Sequence, residues 1–202
     1  IHGLVGENGA GKSTMMKIIA GVYPDYEGEM RVDGAHVHFR SARDALAAGI
    51  GMVNQELSTI PDITVAENVF IGLQQLVQLS RVLFSGARII ILDEPTSALS
   101  PPEVKRLFDV LRRIRAEGRG IIFISHFLDD VLEISDTITI FRNGRKVATE
   151  AAATLTKDAV ISHMIGRGSI GMHMGEDAVL SGDEARPVVL AAEAIGDGVL
   201  LH

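Results

Sequence analysis

The chain has 202 residues, 47% of them apolar and 22% charged, which is enough for one packed α/β domain plus fragments and too apolar for a disordered chain. Its formal net charge of −7 argues against a general nucleic-acid or anionic-membrane binder, so no nucleic-acid partner is expected. Cysteine is absent, which excludes disulfides and thiolate metal sites, and no apolar run approaches the about 18 residues that span a bilayer.

Ile1 to Val5 is a continuous apolar run that predicts a buried strand; because Ile1 lies inside it and is not Met, residues upstream are expected. Gly6-Glu7-Asn8-Gly9-Ala10-Gly11-Lys12-Ser13 follows and fits G-x-x-x-x-G-K-[ST], with Thr14 to Ala20 helical in pattern after it. In that strand–loop–helix setting the glycines let backbone N–H groups converge on a phosphate, and the helix N-terminus adds a positive field. Lys12 then suits the β- and γ-phosphates, and the Ser13 hydroxyl suits Mg²⁺.

Tyr23 to Gly28 is turn chemistry, and Asp33-Gly34 between Glu29–Val32 and Ala35–Phe39 predicts a hairpin. Ser41 is an N-cap for a short helix, Ala42 to Ala48, which Gly49 ends before a strand at Ile50 to Val53. Gln55 follows that strand and is a candidate for Mg²⁺ or for a lytic water. Gln74 to Phe84 is helical in pattern.

Arg88 to Leu92 predicts a buried strand that ends in two carboxylates, Asp93 and Glu94; the first suits a metal held through water, the second an attacking water. Pro102 to Glu117 carries an apolar stripe of Val104, Leu107, Phe108, Leu111 and Ile114. Ile121 to Ile124 is the next buried strand, and His126 just beyond it is placed for a γ-phosphate. A helix over Phe127 to Ile134 precedes a second hairpin, Ile138–Phe141 and Lys146–Thr149, around Arg142-Asn143-Gly144-Arg145. Thr156 caps a last helix that reaches Ile165. Continuous apolar strands that alternate with helices predict an α/β fold with a mainly parallel sheet covered on both faces.

Residues 166–187 are rich in Gly, Ser and charge and read as a linker. Gly166 to Gly171 fits G-x-G-x-x-G, but it follows a helix rather than a strand, and Met172-His173-Met174 lies in the same segment; both read as linker. Residues 188–202 are strand-like and too few for a core, so they read as the start of a second domain.

The order of phosphate loop, Gln55, Asp93-Glu94-Pro95-Thr96-Ser97-Ala98-Leu99 and Ser125-His126 resembles the ATP-binding-cassette (ABC) ATPases, where these are the Walker A, Q-loop, Walker B with D-loop, and switch-histidine motifs. Val53 to Leu57 and Thr64 to Gly72 resemble the sugar importers of the ribose, galactose and xylose type, and the resemblance covers Ile1 to about Arg167. It implies a P-loop NTPase fold with a small antiparallel β subdomain. It implies ATP and Mg²⁺ as ligands, with Gly6 to Thr14 on the nucleotide, Ser13, Gln55 and Asp93 on the metal, and Glu94, His126 and Gln55 in catalysis. It also implies transmembrane permease subunits, a substrate-binding protein, a second cassette in the same chain or a dimer, and a place on the cytoplasmic face of the membrane.

The sequence departs from that family between Gly72 and Gln74, where a helical subdomain of several dozen residues and the signature L-S-G-G-Q are absent. The family's adenine-stacking aromatic would lie upstream of Ile1, and Ser100 stands where many cassettes have Asp. Both sides of that junction match the family with little loss, so the full protein is expected to have a further stretch there; a true deletion would remove the element that meets the γ-phosphate of the opposite cassette, leaving a nucleotide switch that binds ATP and hydrolyses it poorly. Chromosome-maintenance and DNA-repair ATPases share this head and are the other alternative.

Overall fold

The computed structural model describes residues 1–53, 82, 85–166, 190–193 and 199–201. Its elements in chain order are β1 (His2–Gly6), α1 (Lys12–Ile19), β2 (Glu29–Val32), β3 (Ala35–Val37), α2 (Ala42–Ala47), β4 (Ile50–Val53) and β5 (Ile89–Asp93). There follow α3 (Pro101–Ala116), β6 (Gly120–Ile124), α4 (Leu128–Ile134), β7 (Thr137–Arg142), β8 (Arg145–Ala151), α5 (Lys157–Ile165), β9 (Leu190–Glu193) and β10 (Val199–Leu201). The helix expected over Gln74 to Phe84 and the segment expected as a linker lie outside the described residues, apart from Val82 and Gly166.

One sheet has the order β4-β5-β6-β1-β7-β8, parallel except for the β7–β8 hairpin. The order is not sequential, so the chain crosses over the sheet through helices, as apolar strands buried on both faces require. Side chains alternate between two core layers. Ile91, Ile122 and Ile124 pack with Met15, Met16 and Ile19 of α1 and Ala45 of α2. Ile90, Leu92, Ile121 and Phe123 pack with Leu107, Phe108, Leu111 and Ile114 of α3 and with Val131 and Ile134 of α4. The Phe108 and Phe123 rings meet edge-on at 5.9 Å between centroids. Phe123→Ala removes that pair and leaves a cavity under α3; a loss of about 3–5 kcal/mol is expected in chemical denaturation.

The second sheet is antiparallel, in the order β10-β9-β2-β3. The hairpin expected around Asp33-Gly34 is its β2–β3 pair. A lone hairpin is marginal in water, and here β9, from the stretch expected to begin a second domain, lies along the other edge of β2 with Met30 opposite Ala192.

Capping follows the sequence. The Ser41 hydroxyl accepts from Asp44 N at 3.3 Å, and the Thr156 hydroxyl accepts from Ala159 N at 3.2 Å. Ser100 opens α3, its N–H donating to the Glu103 carboxylate at 2.8 Å. Helix α1 starts two residues before the expected Thr14, because Gly11 at φ 94° turns the chain directly into helix and places Lys12 and Ser13 in its first turn. Among the described residues no helix is long and apolar enough to cross a membrane.

Candidate functional site

Strands β5, β6 and β1 are parallel neighbours, so their C-terminal ends lie on one edge of the sheet. Asp93 pairs with Ile124, and Ile124 pairs with Leu4. That register brings together the loop after Gly6, the carboxylates at the end of β5, and His126 beyond β6. An edge of this kind, at the carboxyl ends of parallel strands, is where α/β sheets bind ligands.

Glu7, Asn8 and Gly9 are exposed, while Ala10 and Lys12 are buried. The Lys12 ammonium donates to the carbonyls of Gly6 at 2.7 Å and Glu7 at 3.1 Å, which holds the cation inside the curve of the loop. Burial lowers its pKa, and the charges of Glu94 and Asp93 partly restore it. The Ser13 hydroxyl donates to Asp93 Oδ1 at 3.3 Å, so the first turn of α1 and the end of β5 touch. Burial raises the Asp93 pKa; the Ser13 hydrogen bond opposes that, and the Glu94 charge adds to it. The folded state therefore holds the Asp93 proton more tightly than the unfolded chain does. The stability this confers is present below the ordinary carboxylate range and lost as pH rises through the raised value. Asp93→Asn removes the loss while keeping an acceptor for Ser13. The Tm of the variant relative to the parent should therefore rise from pH 4 to pH 7.

Glu94 has φ 50°, a left-handed backbone that a non-glycine residue seldom adopts. It is held there from three sides. Its N–H donates to Ile124 O at 2.9 Å, its carbonyl accepts from the Ser97 hydroxyl at 2.9 Å, and its carboxylate Oε2 accepts from His126 N at 3.2 Å and lies 2.7 Å from His126 Nδ1. Strain kept by surrounding contacts is characteristic of functional positions. The Glu94 carboxylate is 14% exposed and the His126 ring 51%, so the pair opens toward solvent at the mouth of the loop.

An oxygen donor set of one hydroxyl and one buried carboxylate fits a hard dication that keeps most of its other ligands from phosphate and water. Among the described residues no cluster of three or more His, Asp or Glu forms a protein cage for a metal. The structure thus brings Lys12, Ser13, Asp93, Glu94 and His126 into one site; Thr14 is exposed on α1, and Gln55 lies outside the described residues. Ser97 was not legible as a site residue, because its contact with the Glu94 carbonyl depends on the turn that Glu94 itself makes.

Residues 1–71 match the family model described as ABC transporter. The chain is 37% identical to a ribose import ATP-binding protein of Rhizobium etli, in an alignment that covers all of this chain and 47% of that protein. The chain carries an ABC transporter domain. This cassette is also 38% identical to an arabinose import ATP-binding protein of Paraburkholderia xenovorans, over 83% of the chain and 40% of the relative. It thus spans about half the length of the curated relatives it matches or less. The alignment with the Rhizobium protein has 243 positions against 202 residues here, so at least 41 positions fall opposite gaps in this chain. A crystal structure of the ADP conformation of an ATP-binding cassette superposes on the fold with a TM-score of 0.66 at 20% identity, covering 82% of this chain and 87% of that one. A nucleotide-free cassette superposes with a TM-score of 0.65 at 19% identity, covering 82% and 84%.

Proposed function

We propose that this chain is the ATP-binding and hydrolysing cassette of an importer for a simple sugar. The observation that carries the chemistry is the meeting of three strand ends, which places the Glu94–His126 pair beside the Lys12 loop and the Ser13–Asp93 contact. The sugar is argued from relatives named for ribose and arabinose import.

Glycines and amides of Gly6 to Thr14 cradle the phosphates, and Lys12 neutralises them. Ser13, Asp93 and Gln55 hold Mg²⁺, which when bound offsets phosphate charge. Glu94 orients a water in line with the γ-phosphorus and takes its proton as the new P–O bond forms and the bond to the β-phosphate oxygen breaks. His126 holds the Glu94 carboxylate and meets the γ-phosphate.

The partners in this account are permease subunits, a substrate-binding protein and a second cassette, at the cytoplasmic face of the membrane. In the same account residues 1–165 form the nucleotide-binding domain with a gap near 72–74, 166–187 are the linker, and 188–202 open a second domain.

Three observations favour a second reading, a switch that binds ATP without turning it over. The family match ends at Ile71, the signature is absent from the sequence, and at least 41 alignment positions have no counterpart in this chain. ATP affinity and Mg²⁺-dependent phosphate release, measured on one sample, separate the two. Binding with turnover supports the importer motor, binding without turnover supports the switch, and no binding refutes both. Salt-dependent DNA binding would instead favour the chromosome-maintenance type, against the net charge of −7.

A further inference from the structure

We propose that the turn between β7 and β8 is a positioning element for the phosphate loop, with the Gly144 N–H fixing the loop through the Ala10 carbonyl. This rests on the nucleotide-binding reading above. Gly144 N donates to Ala10 O at 3.2 Å, and Ala10 N in turn donates to Glu7 O at 3.1 Å. Both backbone polar groups of Ala10 are therefore held, while Glu7 to Gly9 next to it are exposed. The turn and the strand that leads to it also pack against the loop. A Cβ on Gly11 would lie 3.7 Å from the Gly144 Cα, and one on Gly6 would fall 2.5 Å from the Phe141 carbonyl oxygen. Gly6 and Phe141 are register partners, so β7 accompanies β1 to the start of the loop.

The turn is anchored on its far side as well. Arg142 Nη1 donates to His163 O at 3.1 Å, in the last turn of α5. A phosphate loop must hold several N–H dipoles pointing the same way without help from packing on its exposed face. A fixed partner for Ala10 O reduces the number of conformations the loop samples before a phosphate arrives. One backbone hydrogen bond contributes about 0.5–1.5 kcal/mol net, which converts to roughly two- to twelvefold in affinity when the competent loop is depopulated.

The fold supplies its own control. Asn143-Gly144 has φ values of 52° and 76°, and Asp33-Gly34 has 51° and 77°, so the two hairpins share one turn geometry. A Cβ at either Gly144 or Gly34 meets nothing within 4 Å, so a side chain there acts through the backbone and not through collision. A β-branched residue is strongly disfavoured at such φ values. Gly144→Val and Gly34→Val therefore impose a similar cost, and only the first moves the partner of Ala10.

The test is titration of a fluorescent ATP analogue into both variants and the parent, with thermal melts of all three. The expected result is a five- to tenfold weaker affinity for Gly144→Val, less than twofold change for Gly34→Val, and similar Tm shifts. Equal affinity of the two variants overturns the proposal. If Gly144→Val does not fold, amide exchange in the parent decides: ATP slows exchange of the Gly144 N–H and leaves that of Gly34 unchanged, and an equal response overturns the proposal. A parent chain that binds no ATP removes the nucleotide reading and this proposal together, whereas equal affinity of the variants removes this proposal alone.

Discussion

Glu94→Gln should leave ATP binding near the parent value and lower phosphate release at least ~10²-fold, a rise of about 2.7 kcal/mol in the barrier. Glutamine keeps the length of the side chain and an acceptor oxygen for the His126 N–H, so the hydrogen bonds that hold residue 94 at φ 50° survive. What it loses is the negative charge and the basicity that draw a proton from water. Lys12 and the loop amides are untouched, so the affinity measured by equilibrium titration should change little. Steady-state phosphate release near the parent rate would refute the role of Glu94.

Lys12→Met should have the opposite signature: ATP affinity falls at least ~10²-fold, while the Tm of the nucleotide-free chain moves by no more than about 4 °C. The ammonium is buried and, among the described residues, donates to two loop carbonyls, so its removal exchanges those hydrogen bonds and the attraction of Glu94 and Asp93 for relief from the cost of burying a charge. The sign of the pH dependence follows. The folded pKa of Lys12 lies below its ordinary value, so the unfolded chain binds its proton more tightly, and the stability of the parent gains from this group as pH rises through the lowered pKa. Lys12→Met lacks that gain, so the Tm of the variant relative to the parent should fall between pH 8 and pH 10. A variant that still binds ATP as the parent does would remove Lys12 from the site.

Legibility in the sequence followed the range of the interaction. The apolar run of β5 and its terminal Asp93-Glu94 could be read locally, because burial on both faces leaves a pattern in consecutive residues. Lys12, Ser13, Asp93, Glu94 and His126 could be named together because each follows a motif at the end of a strand, and parallel strands put such ends on one edge. The start of α1 was misplaced by two residues because no polar cap marks it; Gly11 does so through its backbone alone. Asn143-Gly144 was legible as a hairpin turn, but its contact with Ala10 was not, because it depends on β7 lying beside β1. The pairing of β9 with β2 was hidden for the same reason.

The nucleotide site proposed for this chain is residues 6–14. It is tested most directly by following the backbone amide resonances of the isotope-labelled chain during titration with ATP and Mg²⁺. Gly9, Gly11, Lys12 and Ser13 should show the largest saturable shifts, with Glu94 and His126 next. A saturating titration that leaves those four amides unmoved would contradict it.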